Sequence, residues 1–97
     1  MNIDINGLNT KINSGDNINL VDIRDNFSFN NGHIPGAINI PKNMLISFPN
    51  RYLSLDKTYY IYCQSGNTSR IVVNELNNYG YNTINVDGGY NLYLLTK

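Results

Sequence analysis

Apolar and polar positions along this chain fall into blocks whose period switches between two and about 3.6, predicting strands and helices in alternation. Ile3-Asp-Ile5 is a short strand candidate, and Leu8 to Ser14 a polar helix ended by Gly15. Ile18-Asn-Leu-Val-Asp-Ile23 is apolar on both faces at its centre, as a buried parallel strand requires. Phe27 to Asn31 offers one helical turn, stopped at Gly32, and Gly32-His-Ile-Pro-Gly36 is a loop by its punctuation. Ala37 to Ile40 follows as a short strand closed by Pro41, then a weakly patterned helix over Lys42 to Phe48 that Pro49 breaks. Thr58-Tyr-Tyr-Ile-Tyr62 is aromatic and β-branched, the composition of a strand. Ile71, Val72, Val73, Leu76 and Tyr79 keep a helical spacing over Arg70 to Tyr79, and Gly80 stands where a C-cap glycine belongs. Thr83 to Val86 is the last strand, and Asp87-Gly-Gly89 opens a final helical piece over Tyr90 to Leu95.

Five strands interleaved with helices in so short a chain predict a parallel α/β sheet covered on both faces. At 97 residues there is room for one core, so residues 1–97 read as a single domain with no internal repeat or linker. Ligands in such sheets gather at the carboxyl ends of the strands.

Composition narrows the picture chiefly by exclusion. Seven acidic and seven basic side chains balance, with no basic face or run, so nucleic acid and anionic membrane are poor partners. Apolar stretches are strand-length, short of the roughly 20 residues a membrane helix needs. Met1-Asn-Ile-Asp-Ile-Asn6 carries an acid and no apolar run, unlike a signal peptide. With one cysteine and no partner for it, the expected compartment is the reducing cytoplasm. The nineteen asparagines are scattered through periodic segments rather than gathered in a tract, so they read as surface filling and not as a prion-like region.

The lone cysteine, Cys63, stands between the strand ending at Tyr62 and the helix beyond Ser69. A lone cysteine at a strand end is commonly just a small buried hydrophobe. Here it is followed by Gln64-Ser-Gly-Asn-Thr-Ser69, a small, polar loop without an acid. A thiol in that position meets backbone N–H groups and the positive end of the helix dipole, and both favour thiolate. Nucleophile and anion cradle then occupy the same few residues.

Four segments, in order and spacing, resemble the single-domain rhodaneses: Leu20-Val-Asp-Ile-Arg24, Gly32-His-Ile-Pro-Gly-Ala-Ile-Asn-Ile-Pro41, Tyr62-Cys-Gln-Ser-Gly-Asn-Thr-Ser69 and Val86-Asp-Gly-Gly89. The resemblance spans essentially the whole chain. It implies a three-layer sulfurtransferase fold with a central parallel five-stranded sheet, and a Cys63 that carries sulfur as a persulfide between a donor such as thiosulfate and a thiophilic acceptor, cyanide or a thiol. Gln64, Ser65, Gly66, Asn67, Thr68 and Ser69 would form the substrate-binding loop. No metal or organic cofactor is implied; the oligomeric state stays open, although a single domain of this size can act as a monomer.

Loop length argues against the phosphatases that share this fold, which need C-x-x-x-x-x-R for a bidentate arginine on the phosphoryl oxygens. That position is Ser69 here, and Arg70, one residue late, is displaced by about 100° around the helix. Two positions depart from thiosulfate-using relatives: Gln64 stands where many carry arginine, and Thr68 where another basic residue is common. Both can donate hydrogen bonds but add no charge, so thiosulfate should be a poor donor and a protein or low-molecular-weight persulfide a better one. Asp22 and Arg24 read as an ion pair supporting the site rather than as substrate ligands. His33 is conceivable as a general base, yet the family-like loop favours a turn-fixing role. Ser65, Thr68 and Ser69 can donate to the persulfide, cap the helix, or both. Three classes stay open: an enzyme, a persulfide carrier with slow small-molecule turnover, and a non-catalytic domain, the last disfavoured by the intact cysteine.

Overall fold

In the computed structural model, which describes Met1–Lys97, the expected strands assemble into one parallel sheet. The elements are β1 (Asn2–Ile3), α1 (Ile5–Asn13), β2 (Asn19–Asp22), α2 (Asn26–Asn30), β3 (Ile38–Asn39), α3 (Lys42–Ser47), α4 (Pro49–Tyr52), β4 (Thr58–Tyr62), α5 (Asn67–Asn78), β5 (Asn82–Val86) and α6 (Gly89–Leu94). The strand order is β1-β5-β4-β2-β3, every pair parallel. From β2 the chain passes outward to β3, and from β4 it passes the other way to β5. The gap between β2 and β4 is therefore the topological switch point, where open α/β sheets bind ligands.

Two cores flank the sheet because side chains alternate faces along each strand. On one face Val21, Tyr59, Ile61 and Cys63 pack with Leu45, Leu53, Val72, Val73 and Leu76, contributed by α3, α5 and the segment after α4. On the other, Leu20, Tyr62 and Val86 meet Ile5 and Leu8 of α1, with Tyr90 and Tyr93 of α6 at the margin. Fully burying one such aliphatic side chain contributes about 1.5–3 kcal/mol. No helix is long and apolar enough to cross a membrane.

Three boundaries differ from the sequence expectation for identifiable reasons. Helix α1 starts at Ile5 because Asp4 caps it, its carboxylate accepting from the Gly7 amide at 2.7 Å; Ile5 thus belongs to the helix and not to β1. Helix α5 starts at Asn67 rather than Arg70, since its first turn is polar and carries no periodic signal. Pro49 does not merely end a helix: it is the first residue of α4, where its missing N–H costs nothing.

Candidate active site

Strand β4 ends at Tyr62, and Cys63 lies directly beyond it, 6% exposed, at the switch point between β4 and β2. Its surroundings are not purely apolar. The Gly66 amide donates to Sγ at 3.1 Å and the Ser69 amide at 3.3 Å, while the Ser69 hydroxyl lies 3.3 Å from Sγ. Gly66 makes the turn possible: it adopts φ +95°, which disfavours any residue with a Cβ, and its position precedes the first residue of α5. Burial pushes the Cys63 thiol up, but its hydrogen bond with the Ser69 side chain and those it accepts from the amides of Ser69, Gly66 and Ser65 outweigh it and hold the thiol below the ordinary cysteine range.

The Ser69 hydroxyl is itself positioned. It donates to Asn85 Oδ1, and Asn85 Nδ2 donates to Asp87 Oδ1 at 3.1 Å, so a carboxylate fixes which way the buried amide faces. Asn85 lies in β5 and Asp87 directly after it; Asp87 falls in the Val86–Gly89 segment, but nothing local marks Asn85 because it lies far from Cys63 in the chain.

From the end of β2, Asp22 and Arg24 form a buried ion pair. Arg24 Nη2 stands 2.7 Å from Asp22 Oδ2, and Nε donates to both carboxylate oxygens. The rest of the guanidinium is spent on the Gly32 carbonyl (2.8 Å) and on Gln64 Oε1 (2.9 Å), and it lies over the Tyr90 ring at 4.4 Å. Gln64 Nε2 donates to Asn91 Oδ1 at 2.5 Å. The Gln64 side chain is thus pinned between Arg24 and α6 rather than free to follow a donor molecule.

A cavity of about 410 Å³ opens at Cys63. Gln64, Ser65 and Thr68 of the loop line it, joined by Ile23, Arg24, Asp25 and Ser28 from the chain after β2 and by Lys42 at the start of α3. Asn67, Arg70 and His33 do not line it. His33 instead stacks on Phe29 at 3.8 Å, with Nδ1 2.9 Å from the Phe29 carbonyl oxygen. Arg70 is exposed, so no arginine stands where a phosphatase loop would need one. Lys42, Asp25 and Ser28 were missed by sequence reasoning. The available signal was topological: each follows the carboxyl end of a strand, β3 or β2, where ligands collect.

Helix α6 is laid directly on the cysteine loop. The Tyr90 amide donates to the Cys63 carbonyl and the Asn91 amide to the Gln64 carbonyl, both at 2.9 Å. Gly89 permits this approach, since a Cβ there would run into the Cys63 carbonyl oxygen and come within 3.0 Å of Gln64 backbone atoms.

Comparison with known proteins gives a consistent result. The profile of the rhodanese-like domain family matches residues 5–96. The chain is 34% identical over 77 residues to the thiosulfate sulfurtransferase GlpE of Shewanella oneidensis, a match covering 78% of this chain and 75% of that protein. The crystal structure of SSP1007 from Staphylococcus saprophyticus superposes with a TM-score of 0.87 at 37% identity, covering 95% of this chain and 91% of the other. A rhodanese-like domain protein from Staphylococcus aureus gives 0.86 at 30% identity, with coverage of 96% and 91%.

Proposed function

This chain belongs to the rhodanese-like domain family, and on that premise we propose that it is a sulfurtransferase working through a persulfide on Cys63. The observation that carries this reading is the convergence of the Gly66 and Ser69 amides on Sγ, at 3.1 and 3.3 Å. Fixed main-chain dipoles aimed at a sulfur anion need no rearrangement as charge arrives, so they favour both the attacking thiolate and the persulfide.

In the first half-reaction the Cys63 thiolate attacks the outer sulfur of the donor. The donor's S–S bond breaks and its electron pair leaves with the inner group, as sulfite from thiosulfate or as a thiolate from a persulfide. In the second, a thiolate or cyanide takes the terminal sulfur, and the electron pair of the broken bond returns to Cys63 Sγ. Neither half-reaction calls on a metal, an organic cofactor or a second cysteine. Residues 1–97 act in this scheme as one rhodanese domain, and one copy suffices. Gln64, Ser65 and Thr68 wall the donor's approach, while Asp22, Arg24 and His33 support the loops around it. A persulfide outside a disulfide-forming environment fits the cytoplasm best.

Neither Gln64 nor Thr68 carries charge, which weakens the pull on the thiosulfate dianion and favours a low-molecular-weight or protein persulfide as donor. The same observation leaves a carrier role as the second reading, with persulfide formation but slow small-molecule turnover. Intact mass after incubation with thiosulfate, with and without cyanide, tests the proposal. A gain of one sulfur atom, reversed by cyanide and absent in Cys63→Ser, is expected; no gain with any sulfane donor would refute it.

A further inference from the structure

The cavity beside Cys63 carries two charges that the sulfur chemistry does not use. Lys42, at the start of α3, is exposed and lines the cavity. No carboxylate lies within 4.0 Å of its ammonium, because the sole ion pair in the molecule joins Arg24 to Asp22. The other cation lining the cavity, Arg24, is consumed by Asp22, the Gly32 carbonyl and Gln64. Lys42 therefore supplies the cavity's one unspent positive charge. Asp25 lines the same cavity and caps α2 through a single oxygen, Oδ1 accepting from the Ser28 amide at 2.7 Å. Its other polar neighbours are the Ser28 side chain and its own backbone, and the carboxylate is exposed.

A pocket with an exposed ammonium and an exposed carboxylate at its walls, neither in an ion pair, is poorly matched to a small dianion, which Lys42 attracts and Asp25 repels. It suits a molecule bearing one charge of each sign. Room is consistent with this. Thiosulfate has five heavy atoms, on the order of 150 Å³ at about a water's 30 Å³ each, well below the cavity of about 410 Å³. We propose that Lys42 and Asp25 select, as sulfur donor, a persulfide of an α-amino acid thiol, Lys42 holding its carboxylate and Asp25 its ammonium. The inference rests on the persulfide reading above and names its donor class. The transfer balances as R–S–SH plus Cys63–S⁻ giving R–S⁻ plus Cys63–S–SH: the Cys63 S–S bond forms, the donor S–S bond breaks, and its electron pair leaves on the donor thiolate.

The test measures the rate of sulfur gain on Cys63, by intact mass, with thiosulfate and with three donors generated in place: cysteine persulfide, 3-mercaptopropionate persulfide, which lacks the ammonium, and cysteamine persulfide, which lacks the carboxylate. Each rate is taken as a ratio of variant to unaltered protein, so that the donors' own reactivities cancel. Lys42→Met removes the charge and keeps most of the stem. Asp25→Asn removes the charge and keeps a residue that caps a helix equally well. Exposed charge pairs are worth up to about 1 kcal/mol, so effects of roughly threefold to fivefold are expected. Lys42→Met should slow cysteine persulfide and 3-mercaptopropionate persulfide but not cysteamine persulfide. Asp25→Asn should slow cysteine persulfide and cysteamine persulfide, and should speed thiosulfate. Ratios that are equal across all donors in both variants, with Cys63 still labelled, overturn the assignment alone. Failure of every donor to label the unaltered protein overturns the persulfide reading and this inference with it.

Discussion

Ser69 meets the cysteine twice, through its amide and through its hydroxyl, and the hydroxyl is tied in turn to buried Asn85. Ser69→Ala removes a side-chain hydrogen-bond partner of Cys63 and leaves Asn85 Oδ1 without its donor. A buried acceptor stripped of its donor costs about 1–3 kcal/mol. The variant should therefore unfold at lower urea concentration and should alkylate more slowly with iodoacetamide at neutral pH. Unchanged alkylation would mean that the amides alone set the acidity of Cys63. At this scale the sequence was informative where chemistry is local. A single thiol followed by a polar, glycine-containing loop marked Cys63 and its neighbours unaided. Asn85, Asp25 and Lys42 are ordinary polar residues in their own segments, and only the sheet's topology brings them to the cysteine.

Among the elements, α6 does the least obvious work, since its Tyr90 and Asn91 amides donate to the carbonyls of Cys63 and Gln64 and so fix the loop from behind. Gly89→Ala places a Cβ against the Cys63 carbonyl, and backbone cannot yield as a flexible side chain does. Overpacking of this kind costs about 1–3 kcal/mol. The expected result is a destabilised protein whose Cys63 also reacts more slowly. Gly15→Ala is the control: it too has positive φ, +78°, but a Cβ there meets nothing within 4 Å, so it should cost stability without changing Cys63. Helix and strand identities were legible from periodicity, as with β4, whose residues 59, 61 and 62 are buried. What periodicity cannot see is a polar first turn, which hid the start of α5 at Asn67, or a cap formed by a side chain, which moved α1 to Ile5.

Across the whole molecule, Asp22 joins the two halves of the site. Its charge neutralises Arg24, which holds the Gly32 carbonyl and Gln64, while Tyr62 accepts the Ile34 amide at 3.1 Å and ties the same loop to β4. Asp22→Asn leaves a nearly buried guanidinium without its counter-charge, and a loss of about 3 kcal/mol in urea unfolding is expected. The acidity of Cys63 reaches the same scale through linkage. Its folded pKa lies below the unfolded value, so between the two the unfolded chain binds a proton that the folded protein has lost. Stability then rises with pH through that window, and the gain disappears as pH falls through the folded value. Unfolding of the unaltered protein and Cys63→Ala, at about pH 6 and about pH 8, should show a difference in favour of the cysteine that grows with pH. A difference independent of pH would deny the shift.

The most direct test is a titration of the native protein's thiolate by ultraviolet absorbance, with Cys63→Ser as the blank. The Gly66 and Ser69 amides aimed at Sγ should place the midpoint below the value near 8.5 of an unperturbed cysteine. A midpoint at or above that value would contradict the account, because the loop would then be shielding a thiol instead of holding an anion.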